Sequence, residues 1–378
     1  MAWISGIGLT PYGKQPGPGA VDWQSLAARA AMHDAGLGSS VIDGVLAGYA
    51  TTIGHIMPSD LLAERLGIRP RVASGMSVGG ATGLSMVAQA ARTVDTGAAD
   101  HVLVAGGEDR ASGQSTETST RTLAQVGHAA YEVPTGCTVP GYYALLASEY
   151  LHKHGLDREA LAPFAVHMRT NALRHPGAQF SKPITIDDVL AARPIAEPLH
   201  LLDCCPTSDG GAAFVVTAQP RDKRSIRISG IGEGHMHQHI SEADSDNFGA
   251  RIAAERAFES SGRRRDEIDI LGVYDSFTIT IALLLEEIGF SAAGRSGADV
   301  LDGRYAADGE FPLNLHGGLL SYGHCGVAGG MAHLAEVVTQ LRGEAGDRAI
   351  ARQPSTGFVH ADGGVMSAHV SLVVEAAA

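Results

Sequence analysis

The sequence predicts an α/β protein built from two similar halves, each a mixed sheet layered with helices. Three observations predict it. The pentapeptide Ile-Ser-Gly-Ile-Gly occurs at Ile4–Gly8 and again at Ile228–Gly232, each time opening a strand-like apolar stretch. Apolar runs of helical period alternate with short β-branched runs through both halves. Of the 378 residues 44% are hydrophobic and 18% charged, and the 48 glycines suit a tightly packed chain with many close backbone approaches. That length exceeds what one core usually supports, so two core-forming units are expected.

The elements pair off in order. After each pentapeptide, "LAARAAMHDAGL" and "IAAERAFESSGR" align with Ala27 on Ala253, Ala31 on Ala257 and Gly36 on Gly262, two helices ending at a glycine suited to a C-cap. The strands "VIDGVLAGY" and "EIDILGVYD" follow. A third pair is "GGATGLSMVAQAARTVDTG" and "CGVAGGMAHLAEVVTQLRG", with Gly80 on Gly326, Gly83 on Gly329 and Gly97 on Gly343; the strand "HVLVAGGE" comes after the first. Pro220 and a charge cluster mark a linker near residues 218–225, so the halves are taken as 1–222 and 223–378. The first half is longer by a segment of about 111–198, with helices in "YYALLASEYLHKHG" and "REALAPFAVHMRTNALRHP" and a proline-punctuated loop. An insertion of that size tends to carry a binding surface.

Composition excludes several classes. A net charge of −13 argues against a nucleic-acid partner, and the one dense basic run, "GRRRDE" from Gly262, reads as a solvated turn. No apolar run approaches the roughly 20 residues of a membrane span, and no leader pattern precedes Trp23. Four cysteines are too few for a disulfide framework in a chain this long, so a cytoplasmic location is expected.

Candidate chemistry concentrates in "NLHGGLLSYGHCGVAGG", Asn314–Gly330, a glycine-dense turn carrying His316 and His324 before a helix. A histidine at such a junction suits acid/base work or a structural hydrogen bond, and both readings stay open. His235, His237 and His239 alternate in "HMHQH"; without a fixed acid or thiol partner they read as a polar loop, and no metal is expected. The acidic pairs at Asp187 and Glu286 read as solvated helix starts or faces, and "GGED" at Gly106–Asp109 lacks the context of a phosphate loop. Cys204 and Cys205 read as inert core thiols at a strand start.

The same turn resembles the Asn-x-x-Gly-Gly…Gly-His-Pro-x-Gly signature of thiolases. "DCCPTSDGGAAFVV" (Asp203–Val216) resembles their Ser-Asp-Gly-Ala-Ala strand entry, and "TVDTGAADHVLVAGGED" their stretch after the nucleophile helix. The resemblance covers essentially the whole chain. It implies the thiolase fold with two central helices meeting, a homodimer, and a coenzyme A thioester as substrate with no tightly bound cofactor. "YDSFT" (Tyr274–Thr278) and "HGGLLSYGH" look most like the lipid-transfer branch, with its sterol-carrier-protein thiolases and steroid side-chain aldolases. That branch implies a separate zinc-containing OB-fold partner subunit.

Carried over position by position, the resemblance puts Gly80 where thiolases hold their nucleophilic cysteine, so a covalent acyl-enzyme is not expected. "VHADGG" places His360 about where the second thiolase cysteine, a base, would be, beside Gly363. Tyr274 falls on the asparagine that helps orient a water at the oxyanion, with Asp275 next to it and His324 as the signature histidine. The catalytic candidates are therefore Tyr274, His324, His360 and Tyr322; Gly80, Asn314, Asp275 and Gly363 are the oxyanion or substrate-binding ones. Cys137, in the insertion, could line the acyl channel without reacting, and Cys325 replaces the proline after His324, where its thiol either lies near the pocket or, as is general for a side chain adjacent to that histidine, points elsewhere. The expected reaction is retro-aldol cleavage of a β-hydroxyacyl-CoA, with a tyrosine taking the hydroxyl proton while His324 and backbone amides near Gly80 stabilise the enolate. The alternatives are a thiolase-type acyltransferase and a non-catalytic acyl-CoA-binding subunit.

Overall fold

The computed structural model describes residues 1–377. The first half runs β1 (Ala2–Leu9), α1 (Ala20–Asp34), β2 (Gly44–Gly48), α2 (Pro58–Leu66), β3 (Val72–Met76), α3 (Thr82–Asp95) and β4 (His101–Asp109). The insertion follows with α4 (Thr116–Ala124), α5 (Val139–His154), α6 (Ala162–Ala172), α7 (Ile186–Ala191), β5 (Pro194–Ala196) and β6 (Leu199–His200), before β7 (Asp209–Thr217) closes this half. The second half comprises β8 (Ile226–His235), α8 (Ala250–Ser261), β9 (Ile270–Val273), α9 (Thr278–Ile288), α10 (Ser296–Leu301), α11 (Val327–Leu341), β10 (Thr356–Gly363) and β11 (Ala368–Ala376).

Nine strands form one mixed sheet in the order β3-β2-β4-β7-β1-β8-β11-β10-β9. The order exposes the duplication. From the central β1–β8 pair outward, β7, β4 and β2 of the first half correspond to β11, β10 and β9 of the second, with the same antiparallel and parallel pairings. Beyond β2 lies β3; beyond β9 its counterpart is a single parallel bridge from Leu271 to Leu313.

The repeated pentapeptide has a physical cause. A Cβ on Gly6 or Gly8 would lie 2.1 Å from the carbonyl oxygen of Ala31 or Ala27, and one on Gly230 or Gly232 would lie 2.1 and 1.9 Å from those of Ala257 and Ala253. Each half thus lays a small-residue helix directly on its glycine strand, using the alanines that align in sequence. The central helices α3 and α11 meet as expected: a Cβ on Gly83 would fall 2.3 Å from Met331 Cγ, and one on Gly330 would fall 2.9 Å from the Gly80 oxygen. Both are buried along nearly their whole length, which brings the two helix starts together under the loops after β9 and β10.

Two surface expectations need correcting. Glu286 is half-buried and accepts from the Tyr150 hydroxyl at 2.7 Å and the Gly294 amide at 2.8 Å, while Glu287 accepts from the Gly249 amide at 3.0 Å at the start of α8; this pair satisfies helix ends. In the basic run Arg264 stays with its local acids, whereas Arg263 reaches Glu375 at 2.8 Å as well as Glu267 at 3.9 Å, and Arg265 donates to the Ile288 oxygen at 2.6 Å. No helix among the described residues is long and apolar enough to cross a membrane.

Candidate active site

A cavity of about 560 Å³ opens where the start of α3, the β9–α9 junction, the turn before α11 and the end of β10 converge with the insertion. Gly80, Tyr274 and His324 all line it. The Tyr274 hydroxyl lies 3.0 Å from His324 Nε2. A Cβ on Gly80 would lie 2.1 Å from that same hydroxyl oxygen, well inside contact distance, so the phenol fills the space a cysteine would need. The Asp362 carbonyl oxygen lies 2.5 Å from the same point, so the phenol and the β10 backbone together close the position to a cysteine.

Burial, reinforced by the Asp362 carboxyl, holds the Tyr274 phenol well above its usual range, so it stays protonated. Burial, with the Arg110 charge next, pushes His324 down to about 3 and keeps the imidazole neutral and able to accept at Nε2. An ionised tyrosine acting as the base does not fit this environment; a neutral phenol paired with a neutral imidazole does.

Several expected residues lie elsewhere. His360 is wholly buried in β10, with Nδ1 2.8 Å from Ser371 Oγ and Nε2 3.1 Å from His369 Nδ1, beneath the cavity floor. Strand alternation puts Asp362 on the same face about 7 Å further along, and that residue reaches the cavity. Tyr322 donates to the Thr10 oxygen at 3.0 Å and packs edge-on against Tyr12, so it supports the glycine turn without lining the cavity. Asn314 clamps β9, its side chain accepting from the Val273 amide at 2.8 Å and donating to the Val273 oxygen at 2.7 Å. Asp275 accepts from the Leu319 and Leu320 amides at 2.7 and 3.2 Å, fixing the π-helical turn Gly318–Tyr322. Gly363 serves close packing, since a Cβ there would meet the Val78 oxygen at 2.1 Å; its neighbour Gly364 lines the cavity.

The cysteines also change places. Cys325 is buried off the cavity, and Cys137 faces a separate surface groove, whereas Cys204 and Cys205 line the cavity. Burial raises the Cys204 thiol to about 12 and Cys205 further, so neither is poised as a nucleophile. The three imidazoles of "HMHQH" diverge: His237 Nε2 lies 3.0 Å from the Val365 oxygen, His239 packs edge-on at 4.8 Å against His128, and His235 approaches Glu233 at 3.5 Å. Among the described residues no group of three His, Cys, Asp or Glu side chains is arranged to hold a metal ion.

Sequence reasoning missed two cavity residues. Asp362 accepts from the Tyr143 hydroxyl at 2.6 Å through Oδ2, leaves Oδ1 unpartnered, and is raised to about 8 by burial. Arg110, just after β4, is nine-tenths buried, with the Glu108 carboxylate 3.8 Å away. Asp362 had a signal in "HADGG", two residues beyond the histidine. Arg110 had none, because only the packing of the insertion turns the end of β4 into a cavity wall.

Residues 8–220 match the family described as thiolase, N-terminal domain, and residues 232–376 that described as thiolase C-terminal domain-like. The chain is 31% identical over 384 residues to the acetyl-CoA acetyltransferase of Methanothermobacter thermautotrophicus, covering 97% of this chain and 98% of that protein. It is 33% identical over 367 residues to a steroid side-chain-cleaving aldolase of Thermomonospora curvata, covering 90% of each. The solved Ltp2-ChsH2(DUF35) aldolase superimposes with a TM-score of 0.86 at 31% identity over 99% of this chain and 97% of that one. Duplicated halves, a shared cavity at two helix starts and these matches agree: the chain belongs to the thiolase superfamily, in the branch of the sterol-carrier-protein thiolases, and is a CoA-thioester enzyme of that superfamily.

Proposed function

We propose that the protein cleaves a β-hydroxyacyl-CoA by a retro-aldol reaction, breaking the Cα–Cβ bond without an acyl-enzyme. The observation that carries this reading is the Tyr274 hydroxyl, standing in the nucleophile's place and 3.0 Å from His324 Nε2. Tyr274 takes the proton of the substrate hydroxyl as it passes its own to His324. The C–C electrons move into the thioester as an enolate, stabilised by backbone amides at the start of α3 near Gly80. Asp362, carrying its proton, delivers it to Cα, so the products are a carbonyl compound and a shorter acyl-CoA. The aldolases among the relatives support the reaction class.

The acyl group would lie among Leu123, Val126, Val139 and Phe277, side chains from the insertion and α9 that line the cavity. A partner subunit of the DUF35 kind is supported by the match to the Ltp2-ChsH2(DUF35) aldolase, and a homodimer by β3, which ends the sheet with no strand beyond it.

The test is Tyr274→Phe. It is expected to lower kcat by roughly 10²–10⁴-fold while leaving CoA-ester affinity, measured by calorimetry, unchanged. A stable acyl adduct on any cysteine in the mass spectrum of the wild-type protein overturns the non-covalent scheme and favours the acyltransferase.

A further inference from the structure

Behind the Tyr274–His324 pair lies a cluster of buried imidazoles that the reaction above does not use. Helix α11 is packed on nearly all sides, yet along one face, at Gly329, His333, Glu336 and Gln340, it carries three polar side chains that are 0%, 4% and 1% exposed. Their neighbours continue the row. His324 Nδ1 faces Gly329, 3.1 Å from where a Cβ on that glycine would sit. His333 Nε2 lies 3.4 Å from Asp275 Oδ1, and its ring packs edge-on at 4.9 Å against His316. His316 leans on Tyr322 at 5.4 Å, and the other edge of Tyr322 meets His175 at 4.8 Å. His175 Nε2 then approaches Glu336 Oε2 at 4.0 Å, and Glu336 is paired with Arg348 at 3.0 Å, where side-chain exposure rises to 14% at His175 and 13% at Arg348.

The hydrogen-bond inventory of this row is unusual. His324 Nδ1 and both ring nitrogens of His316 and His333 are buried and make no hydrogen bond among the described residues, five such atoms in one locus, with the Asp275 carboxyl 3.4 Å from His333 Nε2 as their nearest charged neighbour. Buried polar atoms are nearly always satisfied, by protein or by ordered water, and apolar side chains of the same shape would avoid the cost. Three further imidazoles near a catalytic one, two in edge-on ring contact at 4.9 Å and the third across the Tyr322 ring, form a row that bridging water can join into a proton path. A ring that takes a proton at one nitrogen and gives one up at the other passes charge while returning to neutral.

We propose that His333, His316 and His175, set along the polar face of α11, form a proton path linking the Tyr274–His324 pair to solvent at the Glu336–Arg348 rim. The inference rests on the retro-aldol reading for its direction. The hydroxyl proton reaches His324 Nε2, an Nδ1 proton leaves toward His333 through bridging water, and a turn of the ring resets it. Asp362 regains its own proton from solvent in the cavity, so one proton leaves and one enters per turnover. None of the three path histidines lines the cavity, so they act through His324.

The experiment replaces the middle of the row. His316→Phe keeps a planar ring of similar size and His316→Gln keeps a polar group; both are compared with wild type for turnover of a β-hydroxyacyl-CoA. The path predicts a fall in kcat on the order of 10-fold with KM unchanged, a larger solvent deuterium isotope effect, and recovery of rate at high imidazole buffer concentration. A kcat that does not change, or one that falls with no change in isotope effect and no rescue, overturns it. Nitrogen-15 NMR of labelled histidine rings needs no substrate and separates this result from the aldol reading. Exchange of the His324 ring proton with solvent should slow by about 10-fold in His316→Phe, and equal exchange refutes the path even where the cleavage reaction is some other one.

Discussion

At the residue scale, Gly80 and Tyr274 are halves of one decision. A Cβ 2.1 Å from the phenol oxygen cannot be accommodated, so Gly80→Cys alone is expected to destabilise the fold and to remain unacylated. Gly80→Cys combined with Tyr274→Ala removes the phenol clash and leaves the one with the Asp362 carbonyl oxygen at 2.5 Å; its urea midpoint should still exceed that of the single cysteine variant, and a double-mutant cycle reads the coupling. Equal midpoints would refute the steric link. Asp362 gives a second prediction. Its folded pKa of about 8 lies above the unfolded value of about 3.9, so the folded chain holds an extra proton between them. That proton stabilises the fold fully below about pH 4, and the contribution is lost as pH rises toward about 8. The Asp362→Asn variant should lose this slope in stability against pH, and kcat of the wild type is expected to fall above about pH 8 as the Asp362 proton is lost. Sequence put Gly80, Tyr274 and His324 at the site because the thiolase motifs lie at those positions. It misplaced His360 because the motif slips by two residues at the end of β10, and only strand rise decides which of two same-face residues reaches the cavity.

At the element scale, the repeated Ile-Ser-Gly-Ile-Gly strand is legible in full, since its glycines and the aligned alanines meet in both halves. Gly8→Ala and Gly232→Ala each drive a methyl to 2.1 and 1.9 Å from a helix carbonyl, a backbone group that cannot turn aside. Alanine normally improves a strand interior over glycine by about 0.5–1 kcal/mol. Here the sign reverses: each variant should lose about 1–3 kcal/mol or more by urea denaturation, and a gain in either would refute the close-packing account. The insertion was legible as an insertion, with its two principal helices. That it carries a binding surface was legible too; which of its side chains wall the cavity was not, because those of α4 and α5 follow no spacing motif. Asn314 and Asp275 show the same limit. Their motif positions are right, but a buried amide clamping β9 and a carboxylate capping a π-helical turn are roles only neighbouring backbone amides define.

At the scale of the whole molecule, the two half-sheets join edge to edge through β1 and β8, leaving β3 and β9 at the ends. The β9 end carries the bridge to Leu313, whereas β3 presents Ala73, Ser74 and Gly75 to solvent. An open strand edge is a template for a second copy. The proposed homodimer predicts a wild-type mass of two chains in light scattering and a shift to one in Ala73→Glu, which sets like charges against each other across a two-fold axis; a wild-type mass of one chain would overturn the dimer, and two chains in both would place its contact elsewhere. Sequence alone determined the duplicated α/β architecture, the meeting of α3 and α11, the missing nucleophile and the Tyr274–His324 candidates, because small-residue spacing and motif positions are local and repeat. The tertiary structure alone decided that the phenol stays neutral, that Asp362 rather than His360 lines the cavity, and that a row of buried imidazoles runs along α11. Those properties come from burial and from contacts between segments hundreds of residues apart, which no local pattern encodes.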